Sequence, residues 1–539
     1  MQLYYDGVPV RGKLGCCLLL ILISLCTLFY RIGSLPFIGA DEPRYARIAQ
    51  EMSLEGRWVT PILEGRPWLE KPPLYYWITI PFYRLFGVSE TTARLGPALL
   101  SVIAAFFVFW MGSRFWGGPA GFYAAVIFIT SIGVVAFGRS ASTDMPLTAC
   151  FTAGMAIIGV AAVEEVAAWK VYLAYVFLGL SILGKGPVAL LLWIGIALTF
   201  WLLDERGNVA RRWRIVPGLV IIAAVSLPWF WLAFNENGFA FIAVFIVNHN
   251  IARYITDIHH HTQPVYYFLP VLPGLFFPWT AWLLLAWPGG SWSALRSWRE
   301  WDRRSLFLSC WALFPLLFFS FSHSKLPGYI LPCIPPLALL VGKGIAERCG
   351  ISSPGRLEPA AWVHLVLAGA LASVFPAAFL KDYGGSLWIA LLVSASCLIP
   401  AAFAVHFARR KSAAAAFKAV AVQGVAVVLV ISQFAFPAIG RRQSAREIAR
   451  MVVESRQDGE PVVVYNYFSH ALNYYTSYRV SDEIDDPMSL GRFAGEHSRF
   501  LIVTEFSHLP EIRELRDCSV TPLGEQGPLR LLRIVRKIR

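Results

Sequence analysis

Charged residues are scarce in this chain of 539 residues, because Asp, Glu, Lys and Arg together make up only 15% of it. A soluble globular protein has roughly 25%, so the composition excludes an ordinary soluble domain. Apolar residues account for 57%, and they recur in runs of the roughly 17–25 residues that a helix needs to cross a bilayer. The sequence therefore predicts a polytopic helical membrane protein.

Three further absences narrow the class. No small-residue cleavage site follows the first apolar run, so we expect a retained helix and not a signal peptide. Cys518 is alone in the C-terminal region, so no disulfide is predicted there. No internal repeat is visible, and Gly184-Lys185-Gly186-Pro187 has too few glycines to cradle a phosphate. We therefore expect no nucleotide cofactor, and Lys185 is interpreted as part of a tight outer turn.

The distribution of Lys and Arg predicts the orientation in the membrane. Nineteen lie in one alternate set of connections and five in the short loops of the other set, which places the N-terminus in the cytoplasm. The net charge of +13 is then explained by the basic cytoplasmic loops that fix the orientation, and no nucleic-acid partner is expected. Thirteen apolar segments are predicted to span the membrane: 14–30, 92–112, 119–137, 146–163, 169–184, 187–203, 214–234, 266–287, 305–322, 328–345, 360–380, 386–407 and 416–437.

The predicted fold is an all-α polytopic membrane bundle of about 13 helices, residues 1–439, followed by a small α/β domain, residues 440–539. The first outer loop, 31–91, is expected to hold two interfacial helices. Asp41-Glu42-Pro43 is typical of a helix start, with Asp41 as a cap, and Pro72-Pro73 opens a second apolar segment. The first helix carries one apolar stripe, with charged residues beside it: Tyr45, Ile48, Ala49 and Met52 on the stripe, and Arg44, Arg47 and Glu51 off it.

The chemistry-bearing residues gather at the outer ends of the helices. Asp41 and Asp144 each stand at a predicted helix start, where a carboxylate either caps the helix or orients an acceptor. Lys71, Arg253, Lys325 and Tyr329 lie at other outer ends. Three cations and a phenol suit a phosphate leaving group, and headgroup anchoring is the alternative.

The only histidine cluster is His259-His260-His261. Histidines on a loop can bind zinc, with Glu70 as an oxygen ligand. The spacing matches no strong metal motif, so a plain polar loop or a pH-sensitive contact is the alternative.

Five motifs together resemble one known family. They are Gly39-Ala40-Asp41-Glu42-Pro43-Arg44-Tyr45-Ala46, Glu70-Lys71-Pro72-Pro73-Leu74-Tyr75-Tyr76-Trp77, Asp144-Met145-Pro146, Lys185-Gly186-Pro187 and Lys325-Leu326-Pro327-Gly328-Tyr329-Ile330-Leu331-Pro332. They resemble the bacterial aminoarabinose transferases, which belong with protein O-mannosyltransferases to the lipid-dependent membrane glycosyltransferases of the GT-C type.

The resemblance implies a function for the bacterial inner membrane. It is transfer of 4-amino-4-deoxy-L-arabinose from undecaprenyl phosphate to a lipid A phosphate on the periplasmic side. We predict inversion at the anomeric carbon, from a single displacement. Lys71, Arg253 and Tyr329 would hold the donor phosphate. Asp41 and Asp144 would lie near the sugar and acceptor, with Tyr45 close by. Some members also hold zinc, which here implies a site made by Glu70 and the loop of His259, His260 and His261.

Other functions stay open at this point. Another sugar, such as mannose or galacturonic acid, or a core or protein acceptor would fit the same motifs. A transporter of lipid-linked precursors should carry ionisable residues near mid-span and paired repeats, whereas here the charges gather at helix ends. A scaffold with an outer sensing domain is the third class, and the dense polar first loop argues against it.

Overall fold

The computed structural model describes residues 10–204, 209–256, 263–286, 301–349, 357–467, 470–476, 480–515 and 517–537. Within these residues, eight helices are long and apolar enough to cross a membrane. A ninth span results if Gly118–Thr130 and Ile132–Gly138, which meet at 58°, are one bent segment. The protein is therefore a multi-pass helical membrane protein, as the composition predicts.

The membrane part contains more helices, and several shorter ones, than the thirteen predicted spans. Their bounds are Val10–Ser24, Asp41–Glu55, Leu74–Phe86, Glu90–Trp116, Gly118–Thr130, Ile132–Gly138, Asp144–Val163, Ala168–Lys185, Val188–Leu203, Val209–Trp213, Ile215–Asn237, Phe239–Phe241, Arg253–Ile255, Phe268–Phe276, Arg303–Ser320, Ile334–Cys349, Leu357–Tyr383, Leu387–Arg409, Ala413–Val430 and Phe436–Gln443. Segments of π-helix continue three of them over Leu25–Phe29, Ile242–Ala252 and Ile431–Ala435.

Some predicted spans are interrupted. The segment predicted at 266–287 is a helix that ends at Phe276, followed by a 3-10 helix over Thr280–Leu285. Pro278 lies between the two, and proline cannot donate the backbone hydrogen bond that a continuous helix requires. Near the predicted span 328–345, a 3-10 helix over Pro327–Cys333 precedes the regular helix.

The first loop holds two helices where the sequence predicts them, but their polar groups act differently. Helix Asp41–Glu55 begins at Asp41, yet no side chain caps it; Asp41 instead accepts a hydrogen bond from Arg44. Arg47 and Glu51 were expected beside the apolar stripe on a helix at the membrane surface. Both are buried and form an ion pair of 2.8 Å, because Glu51 also accepts backbone N–H groups of the hairpin at 64–65.

An ion pair between the buried Arg94 and the half-buried Glu42 fixes this loop on the bundle. Arg94, 2% exposed, donates to both carboxylate oxygens of Glu42, at 2.9 and 2.8 Å. The same guanidinium donates to the carbonyls of Ile32 and Leu35. Glu42 also accepts the backbone N–H of Ala141 at 2.8 Å. One carboxylate thus joins the first loop, the helix that follows it and the connection that leads to Asp144.

Strands β1 (Ile62–Leu63) and β2 (Arg66–Pro67) form a hairpin in the first loop. The C-terminal region contains strands β3 (Val462–Tyr465), β4 (Asp482–Ile484), β5 (Arg499–Glu505), β6 (Cys518–Gln526) and β7 (Leu529–Arg536). These five form one sheet in the order β4-β3-β5-β7-β6. Strands β3, β4 and β5 are parallel, whereas β5, β7 and β6 are antiparallel. Helices 446–455 and 470–476 cover one face, and helix 487–496 covers the other. The helices of this region are Arg446–Ser455, His470–Thr476, Pro487–Glu496 and Leu509–Arg513.

Polar contacts hold this sheet region against the first loop. Glu90, 5% exposed, accepts the Tyr475 hydroxyl at 2.8 Å and pairs with Arg446. The Tyr475 hydroxyl in turn accepts the backbone N–H of Phe37 at 2.9 Å. The first loop is therefore enclosed between the bundle and the sheet.

We predict that Glu42→Ala lowers the free energy of unfolding by about 3–5 kcal/mol, because it leaves the buried Arg94 guanidinium without its counter-ion. Denaturation of the purified protein in detergent measures this loss. Glu55→Ala is the matched control, since Glu55 ends the same helix and pairs only with the exposed Arg57. That variant should change stability by less than about 0.5 kcal/mol. Equal losses in the two variants would contradict the assignment.

Candidate active site

A cavity of about 430 Å³ collects side chains from five separate segments. This volume is in the range of small-molecule sites. Its wall contains four residues that the sequence predicts to act together from different loops, and Lys185 also lines it. The polar and aromatic members of the wall that matter for chemistry are Lys71, Asp144, Lys185, Arg253 and Tyr329.

Lys71 contributes a buried ammonium. It follows the β2 strand and precedes Pro72-Pro73, where the chain enters helix Leu74–Phe86. The side chain is 8% exposed, and burial, reinforced by the Arg253 charge, lowers the pKa of Lys71 to about 7. Within the described ranges, no residue forms a hydrogen bond or ion pair with this ammonium. Its charge is therefore available to a ligand.

Arg253 and Tyr329 complete the cationic side of the cavity. The Arg253 guanidinium carbon lies 5.9 Å from the centre of the Tyr329 ring. The Arg253 Nε atom is buried and has no hydrogen-bond partner in the part of the chain that the structure describes. Two cations that form no ion pair with a described residue thus face one cavity, and an anionic ligand would stabilise both.

Lys185 and Asp144 form an ion pair in the same wall. The Lys185 ammonium also lies 4.8 Å from the centre of the Tyr329 ring, on which Arg253 also packs. Gly328 permits this arrangement, since a β-carbon there would come within 2.5 Å of an Asp144 carboxylate oxygen. The interpretation of Lys185 as a simple turn residue is therefore incomplete. A lysine at the last position of a helix, followed by Gly-Pro, was the signal available in the sequence.

Lys325 was expected among the cations of the site, and the structure places it elsewhere. Its ammonium, in a side chain only 4% exposed, donates to the backbone carbonyls of Gln263, at 2.8 Å, and Ser322. It therefore crosslinks two loops and is not in the cavity wall.

Asp41 and Tyr45 do not line the cavity. The Asp41 side chain is 66% exposed and pairs with Arg44. Tyr45 is buried, and burial together with the Asp41 charge raises the pKa of its hydroxyl well above the usual range. The charges of Asp144 and Glu70 also act on that hydroxyl. Asp41 and Asp144, the two carboxylates predicted for the site, are therefore both close enough to influence the Tyr45 hydroxyl.

Glu70 lies 3.5 Å from the imidazole of His249, measured between Oε1 and Nε2. Burial raises the pKa of the Glu70 carboxyl, and the Lys71 charge opposes that rise. Its predicted zinc partners, His259, His260 and His261, lie outside the described residues. Among the residues that are described, no group of three or more His, Cys, Asp or Glu could hold a metal. The zinc site stays a prediction.

Sequence comparisons link this chain to glycosyltransferases. The family model described as dolichyl-phosphate-mannose-protein mannosyltransferase matches residues 18–248. The undecaprenyl phosphate-alpha-4-amino-4-deoxy-L-arabinose arabinosyl transferase 2 of Pseudomonas fluorescens strain Pf-5 is 32% identical over 318 residues, which are 57% of this chain and 52% of the relative. The corresponding transferase of Erwinia tasmaniensis is 32% identical over 58% of this chain and 56% of its own length. The matched region thus spans little more than half of these relatives.

Comparison with solved structures covers nearly the whole chain. ArnT from Cupriavidus metallidurans, crystallised with undecaprenyl phosphate, aligns with a TM-score of 0.79 and 22% identity, over 97% of this chain and 98% of that one. The archaeal oligosaccharyltransferase AglB from Archaeoglobus fulgidus aligns with a TM-score of 0.53 and 12% identity, over 92% and 70%. The predicted resemblance is confirmed: the chain is similar in sequence to aminoarabinose transferases and has the fold of ArnT.

Proposed function

We propose that the protein transfers 4-amino-4-deoxy-L-arabinose from undecaprenyl phosphate to a phosphate of lipid A. The observation that carries this proposal is the pair of cations, Lys71 and Arg253, that face one cavity and form no ion pair with any described residue. A phosphate is the ligand that such a pair suits. Exposed apolar side chains such as Leu191 and Ile255 continue the same cavity wall, which suits a polyprenyl chain.

The similar proteins support this choice of substrate. The Pseudomonas and Erwinia relatives carry the name of undecaprenyl phosphate aminoarabinose transferases. The ArnT structure that shares the fold was obtained with undecaprenyl phosphate bound. A transferase that uses another polyprenyl-linked sugar, or a core or protein acceptor, is the alternative in the same class.

The proposed mechanism is a single displacement with inversion. An oxygen of the lipid A phosphate attacks the anomeric carbon, and the bond from that carbon to the donor phosphate oxygen breaks. Negative charge develops on the departing polyprenyl phosphate, where Lys71 and Arg253 stabilise it, with Tyr329 beside them. Loss of one such group typically costs roughly 2.7–4 kcal/mol of transition-state stabilisation. The acceptor phosphate is already an anion, so Asp41 need not remove a proton and is free to hold the ammonium of the amino sugar.

We further propose thirteen spans in the bacterial inner membrane, with the N-terminus in the cytoplasm. The cavity, the first loop and the C-terminal sheet then face the periplasm. The nineteen-to-five distribution of Lys and Arg between the two sets of loops supports this orientation.

We predict that Lys71→Ala abolishes nearly all transfer while the protein still folds and inserts. Mass spectrometry of lipid A from cells that carry either form is the measurement. The wild type should add the mass of one aminoarabinose, and the variant should not. Lys381→Ala is the control, because Lys381 is an exposed lysine at the end of helix Leu357–Tyr383. Wild-type activity of Lys71→Ala would remove Lys71 from the site, and unmodified lipid A in the wild type would refute the proposed substrate.

The lowered pKa of Lys71 predicts a pH dependence. Because its pKa is about 7, the ammonium is charged below pH 7 and loses its proton as the pH rises. The donor phosphodiester does not titrate in this range, so kcat/KM for the donor should fall above pH 7, by at most roughly tenfold per pH unit. Lys71→Arg keeps its charge throughout and should lack the decline that begins near pH 7. The same decline in both proteins would assign the titration to another group.

Zinc at Glu70 and the loop of His259, His260 and His261 is tested by metal analysis of purified protein. If the site exists, the wild type contains about one zinc per chain, and changing all three histidines to alanine removes it. His323→Ala, at an exposed histidine near the Lys325 loop, serves as the control. Equal zinc content in the triple variant and the wild type would discard the site.

A further inference from the structure

Asp41 and Arg44 form an ion pair that is not part of the cavity wall, although both charges act on Glu70, the residue before Lys71. The Asp41 side chain is 66% exposed and that of Arg44 is 21% exposed. The guanidinium carbon of Arg44 lies 5.1 Å from the centre of the Trp68 ring and 5.5 Å from that of Tyr45. Two aromatic rings therefore hold the guanidinium in place.

This guanidinium uses few of its donors. A guanidinium has five N–H donors, and the hydrogen bond from Arg44 is to Asp41. Its Nε atom is buried and has no hydrogen-bond partner within the described ranges. The indole N–H of Trp68 and the hydroxyl of Tyr76 are also buried and lack partners there. Buried donors without acceptors are costly, and the other N–H groups of the partly exposed Arg44 guanidinium are available to a ligand oxygen.

Arg44 is also close enough to the donor cations to act in the same reaction. Its charge acts on both Lys71 and Glu70. In the proposed reaction two phosphates approach one anomeric carbon, and their negative charges repel each other. Lys71 and Arg253 neutralise only the donor phosphate. A second cation is needed on the acceptor side, and Arg44 lies next to Asp41, which faces solvent.

We propose that Arg44 binds the acceptor phosphate, and that the two substrates open the Asp41–Arg44 pair by exchange of partners. The acceptor phosphate takes the Arg44 guanidinium, and the ammonium of the donor sugar takes the Asp41 carboxylate. This inference rests on the proposed function. With both substrates bound, Arg44 and Asp41 each still have a partner of opposite charge, because each has exchanged one partner for another.

The exchange makes the two substrates cooperative. Either substrate alone must separate the Asp41–Arg44 pair and leaves one member without a partner. Once the first substrate has bound, the second meets a group that is already free. Each substrate should therefore increase the affinity for the other, by the same factor in both directions.

Steady-state transfer by purified protein with donor and lipid A tests this role. We expect Arg44→Ala to raise the KM for lipid A by roughly 10- to 100-fold, the loss typical of a charged hydrogen-bonding partner, without raising the KM for the donor. Arg44→Lys should recover part of the loss. Arg84→Ala is the matched control, because Arg84 is an exposed arginine of the same loop that also lies over a tryptophan ring, 5.2 Å from the centre of Trp58. It should behave as the wild type.

A binding measurement covers the case in which Arg44→Ala fails to fold. Asp41→Asn removes the carboxylate that competes for Arg44, so lipid A should bind this variant more tightly than the wild type in the absence of donor. Unchanged or weaker binding would overturn the inference. So would an Arg44→Ala protein whose KM values for donor and acceptor rise equally, or do not rise. Absence of any transfer to lipid A by the wild type would instead refute the proposed function.

Discussion

The Glu42–Arg94 ion pair is the contact on which the arrangement of the site depends. It joins the first loop to helix Glu90–Trp116, and through Ala141 it also holds the connection that precedes Asp144. Asp41 directly precedes Glu42, and Asp144 is three residues beyond Ala141. One carboxylate therefore helps to position both acids, Asp41 and Asp144, which lie far apart in the sequence.

The charges around the cavity follow a simple division. Arg44 pairs with Asp41, Lys185 pairs with Asp144, and Glu70 faces His249. Lys71 and Arg253 are left without counter-ions in the described part of the chain. Burial of an unpaired cation opposes folding, so stability alone does not explain it. A phosphate ligand would explain it, because it would supply the missing negative charge where the proposed reaction produces one.

The sequence predicts local structure better than it predicts partnerships between side chains. Asp41-Glu42-Pro43 and Pro72-Pro73 mark the starts of two helices correctly, because proline restricts the first turn of a helix wherever it occurs. Lys185 was interpreted as a turn residue and Lys325 as a cation of the site, and the structure reverses these assignments. Both are lysines at outer ends of helices in the sequence. Tertiary packing places Lys185 against Asp144 and Lys325 against backbone carbonyls. The residues predicted to line one site, Lys71, Asp144, Arg253 and Tyr329, do meet there, whereas Asp41 and Tyr45 do not line it.

Some elements of the structure leave only a weak pattern in the sequence. Strand β4 has three residues, two of them exposed, and β6 is mostly polar, so neither shows the apolar run by which a strand is recognised. The bend at Ser131 divides a predicted span that is uniformly apolar. Hydropathy detects such a segment but not a change in its direction.

The most direct test of the account is a structure of the protein determined with a polyprenyl phosphate bound. We predict that the phosphate lies within hydrogen-bonding distance of the Lys71 ammonium, the Arg253 guanidinium and the Tyr329 hydroxyl, with the prenyl chain along the apolar wall. A phosphate bound elsewhere, with Lys71 and Arg253 still lacking a counter-ion, would contradict it.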